Sequence, residues 1–193
     1  MGRSYYCVDV DSARDYMNVF NKINDNVVVV LAFSCSKTLT SYGMRLGAAI
    51  LLAKSDEMIK SMYDSFENSA RAIWSNVNNG WMENFTKVIS TNSKHFLQEK
   101  QKYINILKIR SKTFIDEVQA CNLEIYPYHE GFFITLKITD SAFLQAYHQA
   151  LMDENIFTVK LTKGIRVAIC SVPLFKLKGL AKRMKAIYDK TKE

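Results

Sequence analysis

The chain has 193 residues, 48% hydrophobic and 12% aromatic, enough to fill a core and to exclude a disordered polymer. Its 26 Lys and Arg outnumber 19 Asp and Glu for a net charge of +7, and no apolar run approaches the ~20 residues that span a bilayer, so no membrane association is expected. Four cysteines at 7, 35, 121 and 170 form no C-x-x-C pair, and "MGRSYYCVDVDSARD" (1–15) lacks the apolar centre of a signal peptide, which together suit a reducing, cytoplasmic setting.

The first periodic segment is 12–24, where Ala13, Tyr16, Met17, Phe20 and Ile23 fall on one side of a short helix. "NDN" (24–26) ends it. "VVVVLAFS" (27–34) is apolar on both faces, the mark of a strand buried in a parallel sheet, and "RLGAAILLAK" (45–54) reads as a second buried strand. Ser55 caps the next helix, with Asp56 and Glu57 favoured in its first turn by the helix dipole. Met58, Ile59, Met62, Tyr63, Phe66, Ala70, Ile73 and Trp74 then keep a 3.6 period.

"SNVNNG" (75–80) reads as a loop. From Trp81 to about Ala120 the pattern is helical again, through Phe85, Val88, Phe96, Ile104, Leu107, Phe114 and Val118. That exceeds an ordinary globular helix, so it is either two helices broken near "STNS" (90–93) or one long connector. "LEIYP" (123–127) and "GFFITLKI" (131–138) look like a strand pair. Asp140 or Ser141 caps a helix carrying Phe143, Leu144, Tyr147, Leu151 and Met152. "FTVK" (157–160) and "IRVAI" (165–169) are further strands, and a last helix follows Pro173. The last twenty residues hold seven Lys and Arg, but Leu177, Leu180, Met184, Ile187 and Tyr188 recur there at helical spacing. One face packs and the other is solvated, and without aromatic–basic interleaving no nucleic-acid partner is expected. The fold class is α/β. Residues 1–90 read as part of a large parallel-sheet domain and 91–193 as a small α+β domain reached through the long helix.

Chemistry concentrates where the first strand ends. Four valines and a leucine lead into "AFSCSKTLTSYGMRLG" (32–47), which puts Lys37 three residues past Ser34 and Arg45 eight further on. In open α/β sheets ligands bind beyond the carboxyl ends of strands. A lysine in apolar surroundings loses solvation for its charged form, and its neutral amine can attack a carbonyl and form a Schiff base. Ser34, Ser36 and Arg45 would suit a phosphate nearby. The alternative is a lysine snorkelling at a strand end and an arginine in a surface loop. Arg166 shares its strand face with Ala168 and Cys170, small neighbours that leave room for a carboxylate; a rim salt bridge is the other reading. His95, His129 and His148 are scattered, so no metal site is expected, and Cys35 reads as a small filler beside the lysine.

"SCSKTLTSYGMRLG" (34–47) resembles the S-x-S-K…G-x-R-x-G motif of the class I, aspartate- and aromatic-type, pyridoxal-phosphate aminotransferases of fold type I. The resemblance implies that Lys37 carries pyridoxal 5'-phosphate and is the catalytic acid/base. It implies that Ser34, Ser36 and Arg45 contact the cofactor phosphate, that Tyr42 takes the place of an aromatic in the aspartate-type enzymes, and that Gly43 and Gly47 let the backbone pass close to ligand. "WSNVNNG" (74–80) resembles the family's SNP-x-x-G loop, but no arginine follows the glycine, where Trp81 and Met82 stand. Dicarboxylate donors are therefore not implied unless another cation such as Arg71 serves. "GIRVAICSVP" (164–173) resembles the C-terminal strand whose arginine pairs with the substrate α-carboxylate, and Arg166 stands in that place. An amino acid and a 2-oxo acid are the implied substrates and a homodimer the implied assembly. The resemblance covers only the C-terminal half of such an enzyme. The cofactor-binding parts that the family carries upstream have no match, "SYYCVDVD" (4–11) included, so the chain reads as a fragment incomplete for catalysis. A ligand-binding module of a regulator, without catalysis, is the alternative.

Overall fold

The computed structural model describes residues 12–192. Cys7 and the stretch 4–11 lie outside them. Two compact units emerge, one within Asp11–Lys100 and one within Gln101–Glu193. No helix among the described residues is long and apolar enough to cross a membrane.

The first unit opens with a 3-10 helix, Ser12–Lys22, whose Met17 and Phe20 are half-buried. Strands β1 (Val29–Ser34) and β2 (Gly47–Leu52) pair antiparallel, from Val29 opposite Leu52 to Ser34 opposite Gly47. This corrects the expectation of two strands buried in a parallel sheet. Their partner strands are each other, and Val30, Phe33 and Ile50 are exposed. Apolar residues on both faces state what a strand can bury, not what covers it. Between β1 and β2 come a one-turn helix α1 (Cys35–Thr38) and a 3-10 turn, Tyr42–Met44. Helix α2 (Asp56–Ile73) starts where expected: Ser55 is extended and its hydroxyl accepts from Met58 N. The loop after α2 is shorter than "SNVNNG", because the Asn78 side chain accepts from Trp81 N and helix α3 begins at Asn79.

Helix α3 (Asn79–Ala120) runs 42 residues with a break at Asn92 (φ −139°, ψ 28°), inside the "STNS" stretch. The Ser90 and Thr91 hydroxyls both bond back to Lys87 O, a competition with the helical ladder that bends helices.

In the second unit, strands β3 (Ile134–Lys137), β4 (Val159–Leu161) and β5 (Gly164–Val167) form an antiparallel sheet in the order β3-β5-β4. The segment expected as a strand at 123–127 forms only a bridge, Ile125 opposite Leu136; Pro127 cannot donate to a ladder. Helix α4 (Ser141–Asp153) is capped by the Asp140 side chain, which accepts from Phe143 N. The last helix comes in two pieces, α5 (Leu174–Leu177) and α6 (Leu180–Lys192), because Gly179 between them takes φ +82°. The core lies here: Phe114, Ile134, Tyr147, Ile165, Leu177 and Met184 are fully buried.

Candidate active site

The segment from Ser34 to Gly47 is held by three local devices. The Ser34 hydroxyl accepts from Ser36 N at 3.3 Å and caps α1. Cys35 N donates to Leu46 O at 3.1 Å, closing the loop at its base. The buried Ser41 hydroxyl donates to Cys35 O at 2.9 Å, tying the 3-10 turn to α1. Cys35 is buried beneath, as a filler would be.

On this frame two cations lie within reach of the Tyr42 ring. Lys37 Nζ lies 4.6 Å from its ring centroid and the Arg45 guanidinium 5.1 Å. Arg45 Nη1 also donates to Tyr42 O at 3.0 Å and reaches the Ser36 hydroxyl at 3.5 Å. No acid pairs with Lys37 or Arg45 among the described residues. Lys37, Ser36, Tyr42 and Arg45 therefore come together, with Ser34 serving the same turn as its cap. Lys37 is exposed, not in the apolar surroundings expected from the sequence; the strand before it is open and the loop carries it outward. Gly47 is small for a reason other than a ligand: a Cβ there would lie 2.6 Å from Phe33 O on the partner strand. At Gly43 a Cβ would meet nothing within 4 Å.

Arg166 belongs to the second unit. It is half-exposed on the central strand β5, between buried Ile165 and Val167, and opposite Thr135 and Val159. Its guanidinium lies 4.5 Å from the Phe133 ring centroid, and its Nε is buried without a hydrogen-bond partner. No rim salt bridge forms among the described residues. Phe133 is the residue that reading the sequence missed; only its place just before β3 marked it. Arg71 is exposed in the last turn of α2.

Two cations near one ring, with the Ser36 hydroxyl in reach of Arg45, can meet an anion carrying several oxygens, and the lysine amine can hold a carbonyl compound. An unpaired guanidinium suits a carboxylate.

The description "Aminotransferase class I and II" fits residues 6–184 of the chain. Among solved structures, an aminotransferase from Anaerococcus prevotii is 34% identical with a TM-score of 0.85, over 93% of this chain and 44% of that one. The broad specificity aminotransferase from Leishmania mexicana is 19% identical with a TM-score of 0.70, over 94% of this chain and 44% of that one. An aromatic aminotransferase from Pyrococcus horikoshii is 17% identical with a TM-score of 0.61, over 86% and 43%. The last two likenesses are of fold alone. The chain spans less than half the length of these solved relatives. No curated protein sequence matches it.

Proposed function

The chain belongs to the aminotransferase class I and II family, and on that premise we propose that it carries the lysine-bearing part of a pyridoxal-phosphate-dependent aminotransferase. One observation supports this above the others: Lys37 and Arg45 lie 4.6 and 5.1 Å from the Tyr42 ring, with the Ser36 hydroxyl in reach of Arg45 and no acid among the described residues to neutralise them. That donor set fits a phosphorylated carbonyl compound.

When bound, pyridoxal phosphate supplies a carbonyl for amine exchange and an electron sink for the electrons of the substrate Cα–H bond. In this reading Lys37 Nζ holds the cofactor and moves the proton at the substrate Cα, as base and then acid. Arg45 and Ser36 take phosphate oxygens, Ser34 shapes the turn that presents them, and the Tyr42 ring draws both cations to itself. Arg166 holds the substrate carboxylate. An amino acid and a 2-oxo acid are the substrates, and a homodimer is the assembly.

Reduction with borohydride after incubation with equimolar pyridoxal phosphate, followed by peptide mapping, tests the assignment. The pyridoxyl group is expected on Lys37 and absent from that peptide in Lys37→Ala. Equal labelling of another lysine in both proteins would overturn it.

A further inference from the structure

A guanidinium on the central strand of a sheet ordinarily meets an acid or a set of carbonyls, because a desolvated charge without a partner is costly. Arg166 meets neither among the described residues. What it has is a ring. Its Cζ lies 4.5 Å from the Phe133 centroid, the distance at which a cation is drawn to an aromatic face. Phe133 is itself fixed: it is half-buried, it stands edge-on to Phe132 with centroids 6.4 Å apart, and it directly precedes Ile134, a fully buried residue of β3.

The guanidinium is planar, with its donors in the plane and its faces free to stack. A ring against one face closes that face and leaves the donors aimed sideways. Of those donors Nε is sealed from solvent, while the two terminal nitrogens are not buried. The open edge is thus the fork between Nη1 and Nη2, whose spacing matches the two oxygens of one carboxylate.

We propose that Phe133 is a positioning residue for Arg166: stacked on the guanidinium, it presents the terminal fork so that one carboxylate is met end-on. This rests on the reading of Arg166 as the carboxylate holder, and the experiment separates the two.

The full chain is titrated with 3-phenylpropanoate while the arginine side-chain signals are followed by nitrogen-edited NMR. In the free protein the Arg166 Nε–H signal should be displaced by the Phe133 ring current and exchange slowly; Phe133→Leu should remove the displacement with the other backbone signals in place. Saturable binding should be lost in Arg166→Lys, weakened about three- to tenfold in Phe133→Leu, and restored in Phe133→Tyr. Wild-type affinity in Phe133→Leu would overturn the positioning role while leaving Arg166 as the holder. Wild-type affinity in Arg166→Lys, or no saturable binding by the unmodified chain, would overturn the holder and the inference with it.

Discussion

Gly47 faces the carbonyl of Phe33 so closely that a Cβ would lie 2.6 Å from its oxygen. Gly164 repeats the relation in the second unit, where a Cβ would lie 2.2 Å from Leu136 O. Neither oxygen can retreat, because each belongs to a paired strand. Gly164→Ala is expected to cost about 1–3 kcal/mol, the range for forcing atoms into a packed site, read as a lowered urea midpoint. Gly47→Ala should instead act locally and speed amide exchange along β1 and β2, since that pair is open to solvent.

Stability should fall in alkali, and Tyr147 is the reason. Its hydroxyl is buried and donates to Met184 O at 2.9 Å. Burial first, then Tyr188, Cys121 and Asp189, push its ionisation well above the usual tyrosine range. Tyr128 shifts the same way, chiefly through burial. A hydroxyl kept protonated by the fold contributes its full share below the unfolded pKa of about 10, and loses it as pH rises beyond that value. Denaturant melts from pH 8 to 11 should show this decline. Tyr147→Phe should lower stability by about 1 kcal/mol at pH 8 and flatten the alkaline limb.

Glu117 anchors the start of the last helix. Its Oε1 accepts from Gly179 N at 2.6 Å, while Oε2 is buried without a partner. Glu117→Ala removes a side-chain acceptor at a helix N-terminus and is expected to cost about 1–3 kcal/mol. Gly179→Ala, at φ +82°, should cost about 1–2 kcal/mol from backbone strain alone. Thermal melts of the two single variants and the double variant should show less than additive loss, because the strained backbone of Gly179→Ala shifts the same N–H that Glu117 accepts.

Ser41 has the matching task in the first unit. Ser41→Ala deletes the buried bond to Cys35 O and should cost about 1 kcal/mol. Because Lys37 and Tyr42 lie on the two segments it joins, pyridoxal-phosphate labelling of Lys37 should slow severalfold. Labelling at the wild-type rate would show that the loop holds its shape without it.

Local chemistry was legible in the sequence and coverage was not. Ser55 announced α2, and Asp140 or Ser141 announced α4, of which Asp140 is the cap, because a cap is decided by a few neighbouring residues. The break near Asn92 was one of two readings of an overlong pattern, and the hydroxyls that mark it bond back only in the structure. Burial of β1 and β2 was misjudged, since it depends on what lies against them. The strand at 123–127, which ends in Pro127, shrank to a bridge at Ile125, and Gly179 divided the last helix. Around the candidate site, the motif brought Lys37, Ser36, Tyr42 and Arg45 to notice, and the fold gathers them. The exposure of Lys37 and the ring under Arg166 needed three dimensions: a cation–ring contact between β5 and the residue before β3 follows from register, which periodicity does not fix.

Arg45 takes φ 53° and ψ 45°, the left-handed region. Glycine would occupy it freely, and an L-residue with a long side chain does so at a cost of about 1–2 kcal/mol. The chain thus keeps a charge at a place where its backbone would be more comfortable without a side chain. Arg45→Gly should therefore relax the turn and empty it of its cation in one step, so that ease of folding and anion affinity move in opposite directions. A sequence chosen for foldability alone would have glycine there.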